Sequence, residues 1–228
     1  DYIGFNSAWG YWISACLSNV SFALLLFSAL GYFFPAFGAG NNLLSIVCAS
    51  VFLWFLTALV LRGVKEAAGI NTIVTLAKLV PLGLFVLSIV LLGKFNVDIF
   101  MDNFWGEPAG PGFGEQVVST MIALVWVFTG IEGAVVISGR AKYVRDVGRS
   151  TALGFAAVFV LYLIISMLSL GIMPREEMAQ LATPSMAGIL ECAIGPVGAA
   201  IVNLGVILSL VGALLGYVTI ASEPPFEA

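Results

Sequence analysis

Apolar positions along this chain neither alternate nor recur every three or four residues. They run in blocks, parted by short stretches that hold most of the Pro and charged residues. A bilayer core about 30 Å thick needs about 20 apolar residues of helix to cross it. The blocks predict six spans, over residues 7–34, 42–61, 71–93, 117–138, 149–172 and 196–222. The first is long enough to tilt strongly. Turn-forming stretches follow the first span, F-P-A-F-G-A-G-N-N, and the third, G-E-P-A-G-P-G-F-G-E. Residues 174–195, P-R-E-E-M-A-Q-L-A-T-P-S-M-A-G-I-L-E-C-A-I-G, are too polar to span and predict a short surface helix or helix pair.

One block interrupts its own pattern. The fourth reads V-V-S-T-M-I-A-L-V-W-V-F-T-G-I-E-G-A-V-V-I-S and carries Glu132 between Gly130 and Gly133. A charge in the hydrocarbon costs at least ~2.5 kcal/mol, so an acid there faces a partner, a cavity or a substrate. Two glycines around it predict a broken helix, which is tolerated at membrane depth only where the backbone lines a cavity. The segment points to membrane transport.

Composition agrees with the blocks. Hydrophobic residues make up 61% and charged residues 10%, against about 45–50% and about 25% in soluble domains. The net charge of −4 carries no nucleic-acid signature. Cys16, Cys48 and Cys192 are odd in number and read as small hydrophobes without disulfides. The chain opens at Asp1 without methionine and stops at Ala228, just after a span. It reads as an internal fragment, a single partial transmembrane domain over 1–228.

The basic residues set the orientation. Arg62 and Lys65 follow the second span, and Arg140, Lys142, Arg145 and Arg149 the fourth. The opposite side holds Lys94 and Arg175, with acids Asp98, Asp102, Glu107 and Glu115 in one loop. The positive-inside bias puts loops 62–70 and 139–148 in the cytoplasm.

Four other positions sit where a span has no structural need of them. Asn19, among Ser14, Ser18 and Ser21, either packs helices or, with nearby freed carbonyls, hydrogen-bonds a polar substrate. Five N–H donors and no acceptor make a guanidinium a good match for such a surface. Trp126 is too deep for an interfacial belt; beside a helix break its ring packs in the core or closes over a substrate. Tyr217, in L-L-G-Y-V-T, offers a second ring or simple packing. Lys78 snorkels to the cytoplasmic interface or faces the bundle, where Pro81 frees carbonyls three residues later. The chain has no His, no G-x-S-x-G, no phosphate-binding Gly loop and no Cys cluster. It offers a metal or nucleophile enzyme no footing and calls for no cofactor.

N-S-A-W-G-Y-W-I-S-A-C-L-S-N-V, R-G-V-K-E-A-A-G-I-N-T-I-V-T-L-A-K-L-V-P and V-W-V-F-T-G-I-E-G-A-V-V-I-S-G-R-A together resemble the amino acid–polyamine–organocation (APC) superfamily. Within it the chain is similar to the basic amino acid/polyamine antiporters, in particular the arginine/ornithine exchangers of the arginine deiminase pathway. The resemblance implies an all-α, LeuT-like five-plus-five inverted repeat, with the six spans as helices three to eight. The unwound helix six is then the Trp126–Glu132 segment, and helix one, the other half of the site, falls outside this chain.

By the same resemblance, Ala15 and Cys16 contact a guanidinium through backbone carbonyls and Asn19 through its side chain. Trp126 packs over the substrate's aliphatic part, and Glu132 belongs to a gate. Thr129 replaces an aliphatic residue, and Tyr217 stands where arginine/agmatine exchangers carry a stacking Trp. Lys78 occupies the position of sodium in sodium-coupled relatives. The implied activity is exchange of extracellular arginine for intracellular ornithine across the inner (plasma) membrane. The implied partners are a cationic amino acid and lipid, with a homodimer among the assemblies admitted and no nucleic acid. Proton-coupled amino acid uptake is the alternative within transport. A non-transporting receptor or structural subunit is the alternative outside it.

Overall fold

A computed structural model of the chain describes residues 2–62, 79–102, 104, 110–128, 130–131 and 143–222. The elements among them are helices: α1 (Tyr2–Phe33), α2 (Leu43–Arg62), α3 (Leu79–Leu91), α4 (Val97–Met101), α5 (Phe113–Phe128), α6 (Val144–Leu170), α7 (Arg175–Ala179), α8 (Ser185–Ile194) and α9 (Pro196–Ser222). Of these, α1, α2, α6 and α9 are long and apolar enough to cross a membrane. The expected spans 71–93 and 117–138 are described in part, as α3 and α5. Residues 174–195 form two short helices, α7 and α8. α7 buries no residue, but α8 is not merely superficial: it buries Ala187, Ile189, Leu190 and Ala193 and packs on α9.

The helices fall into two compact units. The first, residues 1–94 and 175–228, is built on the pairing of α1 with α9. Lipid tails are as apolar as leucine, so helix pairing in a bilayer relies on close van der Waals fit and small residues. The buried positions have that character: Ala15, Ala23 and Ala29 on α1, and Gly198, Ala199, Gly205 and Gly212 on α9. Larger groups then interlock, with Leu26 and Phe27 of α1, Leu56 of α2, and Leu210, Leu214 and Leu215 of α9 forming one cluster. On α3, Phe85 and Ile89 are fully buried, and the ring of Pro81 lies where a Cβ on Gly205 would have to go.

The α1–α2 connection is tied down by polar groups. Asn42 accepts from Ser45 N at 2.8 Å and donates to Ala36 O at 2.8 Å, while Ser45 Oγ donates to Phe37 O at 2.9 Å. Asn42 thereby satisfies an otherwise orphaned first-turn donor of α2. Gly40 has φ +81°, in the left-handed region, and a Cβ there would strike the α1 backbone at Leu24 and Ser28.

The second unit, residues 95–174, packs α5 on α6 through aromatic rings. Phe128 lies 5.3 Å from Phe155, 6.1 Å from Tyr162 and 6.4 Å from Phe159, centroid to centroid. The chain returns beside α4 through a 2.8 Å bond from Asn96 N to Gly171 O, and the ring of Phe95 occupies the space a Cβ on Gly171 would need. Elsewhere α6 exposes large apolar side chains such as Leu153 and Val160, as α2 does with Val51, Trp54 and Phe55. Faces of this kind suit lipid.

Candidate functional site

Ala15, Asn19 and Phe22 are spaced i, i+4 and i+7, so they share one face of α1. That face meets α9. Ala15 is 2% exposed and Asn19 9%. Asn19 Nδ2 donates to Ala15 O at 3.1 Å. Its Oδ1 is buried and accepts no hydrogen bond among the described residues. An acceptor left dry in this way costs about 1–3 kcal/mol, a cost that an N–H donor from a ligand would remove. Cys16 flanks this face, about 100° round the helix from Ala15, and is exposed.

The expected freed carbonyls take a different form. α1 runs unbroken through this region, so the carbonyls of Ala15 and Cys16 are helical. Ala15 O already takes a second bond from Asn19, which leaves the amide oxygen of Asn19 as the acceptor still open to a donor.

Tyr217 of α9 closes the same interface. Its ring meets Phe22 edge to face, with centroids 5.0 Å apart and planes at 76°. Both rings are half-buried. An edge-to-face pair is worth about 0.5–1.5 kcal/mol beyond area burial and fixes ring orientation. Phe22 did not stand out in the sequence, since one Phe among 17 in an apolar chain carries no signal. Its only clue was its place one turn from Asn19.

The helix break foreseen from the glycines begins as expected. α5 ends at Phe128, and Gly130 has φ +111°, a conformation that side chains rarely adopt. Trp126 lies in the last turn of α5, but its side chain lies outside the described part. Thr129, Glu132 and Lys78 lie outside the described residues altogether.

A family profile described as amino acid permease matches residues 1–228. The chain belongs to the amino acid permease family. This bears out the resemblance to APC transporters. Its relatives include an arginine/ornithine antiporter of Pseudomonas aeruginosa, 51% identical over 231 residues, which cover 100% of this chain and 47% of that protein. An L-lysine transport protein of Corynebacterium glutamicum is 40% identical over 225 residues, covering 98% of this chain and 45% of that protein. An arginine/agmatine antiporter of Chlamydia trachomatis is 38% identical over 231 residues, covering 100% of this chain and 47% of that protein. The chain thus spans about half the length of these relatives. As a permease-family chain with four helices long and apolar enough to cross a bilayer, it belongs to a multi-pass inner-membrane protein.

Proposed function

We propose that the protein exchanges extracellular arginine for intracellular ornithine by alternating access. The observation that carries this is 51% identity, along the whole chain, to a protein named for that exchange. The dry Oδ1 of Asn19 supports it, being an acceptor awaiting a donor-rich ligand. Arginine and ornithine are both monocations at neutral pH, so one-for-one exchange moves no net charge and needs no ion gradient.

In this reading the six spans, with the bounds given above, form one partial domain and are helices three to eight of a LeuT-like five-plus-five inverted repeat. Loops 62–70 and 139–148 face the cytoplasm. Asn19 takes the guanidinium through Oδ1, and the carbonyls of Ala15 and Cys16, engaged within α1 in this structure, join it only as the helix opens during transport; with its side chain exposed, Cys16 acts through its backbone. Tyr217, held by Phe22, offers a π face to the cation, weaker than that of a Trp. Trp126 closes over the aliphatic stem, Thr129 adds a hydroxyl beside it and Glu132 serves the gate. Lys78 stands as a fixed internal cation that excludes sodium. The working unit is a homodimer in the bilayer.

Counterflow with the full-length protein in liposomes tests the function. Labelled arginine enters only when ornithine or arginine is trapped inside. The relative named as an L-lysine transport protein, a name without an exchange partner, favours a second reading, uptake of one cationic amino acid, for which a proton gradient would be the drive. Entry driven by a pH gradient into empty vesicles selects that reading and rejects exchange.

A further inference from the structure

The end of α1 nearest α2, the 181–184 segment, α8 and the start of α9 line a half-open pocket of about 610 Å³. Ligand pockets commonly measure about 300–1,000 Å³, so a free amino acid fits with room to spare. Its nearest α1 residue, Ser28, is nine positions beyond Asn19. At 1.5 Å rise per residue that is roughly 13 Å along the helix, so this space is not the Asn19–Tyr217 site.

Its polar side chains are mostly acceptors, with the hydroxyl of Thr183 beside them. Ser28 Oγ donates to Thr183 O at 3.4 Å, and Tyr32 Oη donates to Pro196 O at 3.3 Å. Asn203, only 2% exposed, donates through Nδ2 to Ala199 O at 2.9 Å. Both hydroxyls lie towards backbone carbonyls, so lone pairs of each remain available to the cavity. Asn203 keeps its amide oxygen for the same space. The carboxylate of Glu191, which is exposed, adds a negative charge, and no Lys or Arg is among the described lining residues. Such a surface repels anions and leaves a neutral acceptor unpaired. It suits a cation with several N–H donors, whose aliphatic stem can lie on Leu181.

We infer that this cavity is a second, outer binding site for a cationic amino acid, held by its ammonium or guanidinium group before it reaches Asn19. The side of the membrane follows from the orientation proposed above. Arg62, at the far end of α2, faces the cytoplasm in that orientation, so the α1–α2 connection and the cavity beside it face outward. The inference rests on that reading.

The test uses the full-length protein in right-side-out and everted vesicles, with Glu191→Gln as the variant, since an exposed side chain tolerates the change. The expected result is a KM for external arginine raised about two- to fivefold, the range an exposed ion pair supports. The maximal rate and the KM measured from the inner face stay parental. An unchanged external KM, or an equal rise on both faces, overturns the inference. A basic side chain from elsewhere in the protein is the other source of such a cation. In that case Glu191→Gln lowers thermal stability and leaves the external KM unchanged, which also overturns it. Exchange by the parental protein is the control for the function itself. If that control fails, the exchange reading falls on its own. Binding of labelled arginine that Glu191→Gln weakens then supports the cavity, and binding that it leaves unchanged refutes it.

Discussion

Replacing Asn19 by Leu should separate folding from binding, because the side chain that serves one harms the other. Leu branches at the same carbon as Asn, so the shape is nearly kept. The substitution removes the buried Oδ1 that accepts no hydrogen bond, relieving about 1–3 kcal/mol of unpaid desolvation. It also removes the 3.1 Å bond from Nδ2 to Ala15 O, at about 0.5–1.5 kcal/mol. Ala15 O is not orphaned by the loss, because α1 is continuous there and its helical bond remains. The ligand-free variant should therefore be as stable as the parent or up to about 2 kcal/mol more so. Arginine should bind roughly ten- to a hundredfold more weakly, the equivalent of one hydrogen bond to a charged group. Thermal unfolding of the purified full-length protein, with and without arginine, reads both effects. The variant should melt at or above the parental temperature without ligand and lose most of the arginine-dependent rise. A lower melting temperature together with parental arginine affinity would refute the reasoning, since Asn19 would then be structural.

Three further outcomes are expected. Gly205→Ala should destabilise the protein by about 1–3 kcal/mol, because its Cβ would fall on the Pro81 ring; denaturant or thermal unfolding measures this, and Gly216→Ala, with open space around it, is the neutral control. Glu132→Gln keeps shape and removes charge, and should lower the exchange rate with little loss of folded protein; exchange at the parental rate across the neutral pH range would make the acid structural. Lys78→Ala should impair exchange without creating or abolishing dependence on a pH gradient, and lumenal acidification coupled to arginine entry in the parent but not in the variant would install the proton-coupled mechanism instead.

What a stretch of chain can decide alone, the sequence decided. Length and apolarity of a block are local, so α1, α2, α6 and α9 were legible as helices long and apolar enough to cross a membrane. The end of α5 was equally local, because only the glycine of Thr129-Gly130-Ile131 readily adopts φ +111°. Asn19 and Tyr217 drew attention for a related reason: a polar group in an apolar span has a cost that needs an explanation. Which face of α1 turns inward was not legible, since a helix that is apolar nearly all round carries no stripe to show it. Only tertiary packing chose Ala15 and Asn19 over Cys16 for burial, and only the pairing of α1 with α9 brought Phe22 to Tyr217, 195 positions along the chain. α8 shows the same limit: its composition suggested a surface helix, and contact with α9 buried one side of it. Small residues such as Gly205 gave no warning of their role, because a glycine's value lies in what approaches it. Here that is the ring of Pro81, carried in on another helix.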